Sequence, residues 1–189
     1  MGVPRKIVVA GGSASGAIYC KRLLDVLAGP VGDGLDVSLV FSRSAPHVWR
    51  EELGIEPGGF RFPVFRNDDW HAPFASGSSE TSAMVVVPCS MGQVGRIAAG
   101  TSEDLVSRAA DVQIKERRKL VLVVRESPLS LVHLRNLVTV TEAGAVILPA
   151  APSFYSSPTT VAALVDTVVG RILDQIGVDH ALTRRWGEP

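Results

Sequence analysis

The chain has 189 residues, of which 46% are hydrophobic and 20% charged, and its 19 basic and 19 acidic side chains cancel. A neutral chain lacks the net basic surface of a general nucleic-acid binder, and its length suits one α/β domain with a full core. No apolar run approaches the roughly 18 residues of a membrane span, the N-terminus enters a strand pattern at once with no signal peptide, and two cysteines make no disulfide scaffold; the expectation is a reduced, cytoplasmic protein.

The first element is read from Lys6–Gly16, KIVVAGGSASG. Ile7 to Ala10 form a short apolar run, the pattern of a strand buried on both faces. Gly11 to Gly16 are all small. Ile18, Leu23, Leu24 and Leu27 then recur at helical spacing, giving a helix over Ser15–Leu27. The backbone N–H groups of such a turn, at a helix N-terminus, suit a phosphate. The turn fits half of a nucleoside-triphosphate loop, but Ala17 and Ile18 stand where Lys and Ser/Thr are needed. It misses the dinucleotide fingerprint too, since Ser13 replaces the second glycine. The acid that would bind an adenosine ribose is also missing: the second strand, Asp36–Phe41, ends at Ser42, and Asp36 lies at its wrong end. Two readings stand: a mononucleotide site such as one for FMN, or a tight turn with no ligand.

Further strands are predicted at Arg61–Phe65, Ala83–Val87, Leu120–Val124 and Ala145–Leu148. Helices are predicted at Arg43–Leu53, Gly92–Ala99, Leu105–Arg117, Leu129–Ala143 and Thr159–Ile176. Alternating strands and helices predict a three-layer α/β/α fold, flavodoxin-like or Rossmann-like, with one parallel sheet. Ligands then bind at the carboxyl ends of the strands. Those ends carry Ser13 and Ser15, Ser42, Cys89–Gly92, Arg125–Glu126 and Pro149–Tyr155. An Arg-Glu pair directly after a buried strand is costly unless it is used, either in chemistry or in a structural ion pair. Asn67–Ser82 is a long irregular segment; within it, Trp70 either covers a flat ring or plugs the loop onto the core.

Arg108 and Lys115 lie seven apart on one helical face and are candidates to hold an anion together. Arg117, Arg118 and Lys119 read as a solvated helix end. Arg171, amid Val168, Val169, Ile172 and Leu173, is either a structural ion-pair partner or a phosphate ligand. His47, His71, His133 and His180 fit no ligand spacing, so no metal site is expected. Cys89 reads as a small buried residue rather than a nucleophile.

Taken together, GGSASG at 11–16, NDDWHAPFASGSS at 67–79, PCSMG at 88–92, RAADVQIKERR at 108–118, LVLVVRESPLSLVHLRNL at 120–137, GAVILPAAPSFY at 144–155 and RWGE at 185–188 resemble the UbiX family of flavin prenyltransferases, in order along almost the whole chain. That family was long called an aromatic-acid decarboxylase. The resemblance implies a single flavoprotein domain that assembles as a dodecamer, with residues 177–189 a tail contacting a neighbouring subunit. It implies a metal-independent transfer of a dimethylallyl group from dimethylallyl monophosphate to N5 and C6 of reduced FMN. The product, prenylated FMN, would pass to a UbiD-type decarboxylase.

By motif position the resemblance makes Ser13, Ala14, Ser15, Ser42, Ser90, Met91, Gly92, Gln93 and Arg125 FMN ligands. It makes Tyr155 and Arg171 ligands of the prenyl phosphate, helped by Arg108, Lys115 and Arg125. Glu126 is an acid/base near the leaving phosphate, Ser15 and Glu52 lie near flavin N5, and Trp70 and Trp186 wall the prenyl pocket. Lys115 is also counted with Ser15, Glu52 and Glu126 as catalytic. Three departures stand out. Ser13 replaces a usual glycine and would be strained at positive φ. Gln93 replaces a frequent Thr and would loosen a phosphate contact. Glu103–Asp104 adds negative charge near the basic helix. Two other readings are a cysteine-decarboxylase type of flavoprotein, with His71 its nearest candidate base, and a non-catalytic FMN carrier.

Overall fold

The structure is a computed structural model and describes residues 4–185 and 187. Six parallel strands form one sheet in the order β3-β2-β1-β4-β5-β6. They are β1 Arg5–Gly11, β2 Leu35–Phe41, β3 Val64–Phe65, β4 Thr81–Cys89, β5 Lys119–Val124 and β6 Val146–Pro149. The helices are α1 Ala17–Ala28, α2 Ala45–Leu53, α3 Met91–Ala98, α4 Leu105–Lys115, α5 Leu131–Glu142 and α6 Val161–Gln175. The chain steps outward from β1 through β2 to β3, then returns to the other side of β1 with β4. That reversal places a crevice at the carboxyl ends of β1 and β4.

Alternation along the strands divides the interior in two. Ile7 and Val9 of β1 join Leu23, Leu24, Leu27 and Ile172 on the face covered by α1 and α6. Val8 and Ala10 join Val94, Val106 and Val140 on the face covered by α3, α4 and α5. The predicted three-layer α/β/α, flavodoxin-like arrangement is the one observed. Among the described residues no helix is long and apolar enough to cross a membrane.

The boundaries differ where backbone chemistry intervenes. Only Val64 and Phe65 of the predicted third strand pair with β2. Pro63, which has no N–H, reaches the sheet through its carbonyl, accepting from Leu39 N at 2.9 Å. α1 starts two residues late because Gly16, at φ 111°, takes the left-handed region as its N-cap. α4 ends at Lys115, and Arg117 turns the chain at φ 54° into β5, so the basic run 117–119 is a helix exit and strand entry.

Candidate active site

Four strand ends converge on the crevice. β1 delivers Gly11 and Gly12, then the turn Ser13–Gly16. A Cβ on Gly12 would strike the carbonyl oxygen of Pro88 at the end of β4, so only glycine lets these backbones touch. Ser13 is not among the positive-φ residues, so the strain expected at this position is absent. β2 delivers Ser42, whose N–H donates to Gly11 O at 2.8 Å. Its hydroxyl is buried and has no hydrogen-bond partner. A buried orphan hydroxyl is expensive unless a ligand meets it.

The N-terminus of α1 is already occupied by a protein group. Glu52, at the end of α2, accepts from Gly16 N at 2.8 Å and Ala17 N at 2.8 Å. Ser15 also donates its hydroxyl to this carboxylate. The turn's helix-end N–H groups therefore do not wait for a phosphate, as the sequence reading supposed. α1 has no capping side chain of its own and no acid in its first turn, so a carboxylate from α2 fills the place. Burial works to raise the pKa of Glu52, but the hydrogen bonds from Ser15, Gly16 and Ala17 and the charge of Arg125 outweigh it and leave it lowered. Glu52 is held ionised. Arg125, exposed at the end of β5, donates Nε to Ser15 O at 3.2 Å and its backbone N–H to Cys89 O at 3.2 Å. Next to it, the Glu126 carboxylate accepts from Ser127 N at 3.1 Å. Glu52, Ser15 and Arg125 thus form one polar cluster, with Ser13 and Ala14 half-buried beside it.

β4 leads into α3, and its motif residues divide their labour. Ser90 caps α3, its hydroxyl accepting from Gln93 N at 3.2 Å. Met91 is buried in the core and Gly92 is exposed, so these two offer main-chain groups rather than side chains. Gln93 is not placed as a ligand. Its side chain is buried, donates to Ser107 Oγ of α4 at 3.0 Å and accepts from Arg96 Nη2 at 2.6 Å. Its predicted role as an FMN contact gives way to a structural one, because both polar ends are consumed inside the protein. Asp104 likewise has a local task, capping α4 by accepting from Ser107 N at 2.7 Å and Asn67 Nδ2 at 3.2 Å. The acid that seemed to oppose the basic helix starts it. Cys89 is fully buried, and burial, opposed only by Arg96, pushes its thiol up to about 12, which removes it as a nucleophile at neutral pH.

The predicted donor-phosphate set is not gathered in one chain. Lys115 ends α4, four residues before Lys119, which pairs with Ala83 near the start of β4. It therefore lies at the amino end of the sheet, the length of β5 or about 17 Å from Arg125 at roughly 3.3 Å per residue. There it pairs with Glu116 and lines a basin of about 620 Å³ with Arg117, Arg118, Leu120 and Glu142. Arg108 is directed to Ala75 O at 2.9 Å and to Asp111. The shared face of Arg108 and Lys115 thus fastens the 67–82 loop, which Arg118 also grips at Gly77 O. Arg171 sits ten residues into α6, beside β6 in a groove of about 200 Å³ with Pro149, Ala151 and Gln175. Tyr155 is 86% exposed and Trp70 is 50% exposed, on separate loops. Trp186 lies outside the described residues. Among the described residues no group of three or more His, Cys, Asp or Glu is placed to hold a metal ion.

Sequence reasoning missed three connections: Glu52 as the cap of α1, Gln93 as a tie between α3 and α4, and Asp174 as the partner of Arg171. Two of them left a signal: the uncapped start of α1, and the i, i+3 spacing of Arg171 and Asp174 on one helix.

The buried orphan hydroxyl of Ser42, the glycine-lined approach to Pro88 and the cation of Arg125 together suit a flat, phosphate-bearing ligand such as FMN. Comparison with known proteins agrees. The family model described as Flavoprotein matches residues 2–174. A flavin prenyltransferase UbiX of Methanocaldococcus jannaschii is 43% identical over 185 residues, covering 96% of this chain and 98% of the relative. The crystal structure of AnUbiX in complex with FMN and dimethylallyl pyrophosphate is 41% identical, covers 97% of this chain and 98% of that one, and superposes with a TM-score of 0.91. A dodecameric FMN-dependent UbiX-like decarboxylase from Escherichia coli is 38% identical, covers 97% of this chain and 100% of that one, and has a TM-score of 0.90. The chain belongs to the flavoprotein family and, within it, to the UbiX flavin prenyltransferases.

Proposed function

We propose that the protein transfers a dimethylallyl group from dimethylallyl monophosphate to N5 and C6 of reduced FMN, making prenylated FMN for a UbiD-type decarboxylase. The observation that carries this reading is the ionised Glu52, bonded to Ser15, whose carbonyl holds Arg125, together with the orphan hydroxyl of Ser42 at the end of β2. Ser13, Ala14, Ser15, Ser42, Ser90, the main chain of Met91 and Gly92, and Arg125 would hold FMN. When bound, reduced FMN supplies the nucleophilic centres that take the prenyl group.

The chain's own residues do the rest. Breaking the donor's C–O bond develops an anionic phosphate and an allyl cation. Arg125 and the cations of the donor set stabilise the first. Trp70, and Trp186 as the family resemblance assigns it, would shield the second from the water that would trap it. Glu126 serves the leaving phosphate as acid/base. Glu52, already ionised and bonded to the Ser15 hydroxyl, accepts a proton through Ser15.

The donor set must come from several copies. Lys115 lies at the far end of the sheet and cannot turn to its own Arg125, and Arg171 and Tyr155 lie along an open edge. A dodecamer, as in the Escherichia coli relative, would bring one copy's Lys115, Tyr155 and Arg171 to another's FMN cradle, and the tail at 177–189 would join that contact. The apolar surface such an assembly needs is present: Leu131, Val132, Leu134 and Val138 of α5 and Phe154 beyond β6 are all exposed. The two buried free cysteines fit a reducing cytoplasm.

The test is to mix the protein anaerobically with reduced FMN and dimethylallyl monophosphate and take the mass of the released flavin. A gain of one C5 unit is expected. Flavin bound but unmodified with the monophosphate, and modified with the diphosphate, would correct the donor. Flavin unmodified with either would overturn the transferase and leave a carrier.

A further inference from the structure

Asp174, in the last turn of α6, gathers three donors on one carboxylate. Its Oδ2 accepts from Arg171 Nη1 at 2.7 Å. Its Oδ1 accepts from Arg185 Nη2 at 3.1 Å and from His180 Nε2 at 3.2 Å. The carboxylate side chain is 17% exposed and that of His180 only 2%. The tautomer of His180 follows from its second contact: Leu182 N donates to Nδ1 at 3.2 Å, so Nδ1 is bare and the proton sits on Nε2, facing Asp174.

Shape supports these bonds. A Cβ on Gly170 would come within 2.9 Å of His180 Cε1 and 3.1 Å of Thr183 Oγ1, so the segment after α6 lies on the helix only because position 170 is bare. The segment 178–185 is thus seated on α6 and bonded to the same carboxylate that holds Arg171. Arg171 itself is mostly exposed and borders the groove with Pro149 and Ala151. Left alone, such an arginine samples many rotamers, and an anion that uses it must freeze them on binding.

We propose that Asp174 is a positioning residue for Arg171, and that through Asp174 the docked segment 178–185 sets how tightly the donor phosphate is held. The proposal rests on the reading of Arg171 as a phosphate ligand. Asp174 would act through Arg171 rather than on the donor itself. It spends one nitrogen of the guanidinium fork to fix the direction of the others.

Steady-state kinetics of the full chain, with reduced FMN saturating and dimethylallyl monophosphate varied, test this on three variants. Asp174→Asn keeps the shape and loses the charge. It should raise KM for the donor about tenfold while kcat stays within about twofold, the split expected when ground-state binding alone is lost. Flavin affinity should not move. Gly170→Ala displaces His180 without altering any charge, in a helix where alanine is otherwise favourable. It should raise the same KM about threefold and decides the matter if Asp174→Asn folds poorly. Arg171→Ala should raise KM at least as much as Asp174→Asn. If Arg171→Ala raises KM but the other two leave it unchanged or lower it, Asp174 is a competitor or a bystander and the positioning role is overturned. If Arg171→Ala itself leaves KM unchanged, the phosphate role of Arg171 fails first, and the proposal with it.

Discussion

β1 and β6 are both short parallel strands of one sheet, yet one is sealed and the other half open. Ile7 to Ala10 of β1 are at most 2% exposed, flanked by β2 and β4 and covered on both faces. β6 pairs only with β5, and none of its residues is fully buried. Its neighbour α5 buries only Val140 and turns Leu131, Leu134 and Val138 outward. The sealed side carries Ser15, Ser42 and Arg125, the residues we propose for the flavin. The open side carries Arg171, beside β6, and the exposed Tyr155. In the proposed reading, the fold completes its cofactor platform on the sealed side and defers the second substrate to assembly.

The largest effect should come from breaking the open side. Leu131, Leu134 and Val138 lie three and four residues apart on one face of α5. Leu134→Asp with Val138→Asp would place unpaired charge on the exposed apolar face that we propose packs against another copy. The expected outcome, by light scattering, is a smaller species. Its prenyl transfer should fall about a thousandfold, as positioning of the donor is lost. Flavin binding, followed by fluorescence, should persist. A dissociated variant with normal turnover would show that one chain suffices and would end the comparison.

Gly12→Ala breaks the sealed side instead. The added methyl strikes the Pro88 carbonyl, so β1 and β4 must separate. Overpacking of this kind costs about 1–3 kcal/mol, to be read from denaturant unfolding, and flavin should no longer bind. A Gly12→Ala protein of unchanged stability would mean that the crevice is more pliable than its packing implies.

Two neighbouring residues sharpen the comparison within the cradle. Ser42→Ala removes a buried hydroxyl that has no protein partner. Without flavin, stability should rise by about 1 kcal/mol, since an unmet buried hydroxyl is removed, while flavin affinity falls about tenfold. Gln93→Leu does the reverse. It takes away the link to Ser107 and Arg96, costing about 1–2 kcal/mol of stability, and flavin affinity should stay within about twofold. Titration and thermal melts of both variants separate a ligand from a strut.

The same division decides what was legible in the sequence. Burial on both faces writes dense Val, Ile and Leu into β1, β4 and β5, so the fold and its strand ends could be read directly. Ser42 and Arg125 followed, because topology puts strand ends at the crevice. Short range also misled: Gln93 sits one residue from the exposed Gly92, yet helical geometry turns it inward to Ser107. Ser13 looked strained by its residue type, but its backbone stays at negative φ. Arg108 and Lys115 share a helical face, which spacing shows, but that face lies on the 67–82 loop and ends at the amino end of the sheet. Spacing along one chain gives direction within an element; it carries no record of which copy supplies a side chain.

The smallest expected effect concerns the junction of the two regions, at Glu52. Its carboxylate caps α1 through Gly16 and Ala17 and lies near Arg125. Its pKa is lower in the folded chain than the ordinary 4.5. A carboxylate of lowered pKa adds stability that is complete above its unfolded value and is lost as pH falls through the folded one. Glu52→Gln should therefore lower stability at neutral pH by about 1 kcal/mol, the usual worth of such a cap. The deficit should shrink as pH drops below 4.5, because the wild type then protonates the same group and loses the same charge. Urea unfolding of both proteins from pH 7 downward reads this directly. Convergence in acid assigns the effect to the charge of Glu52. A deficit that stays constant with pH would assign it to shape, and the ionised base required near Ser15 would lose its physical support.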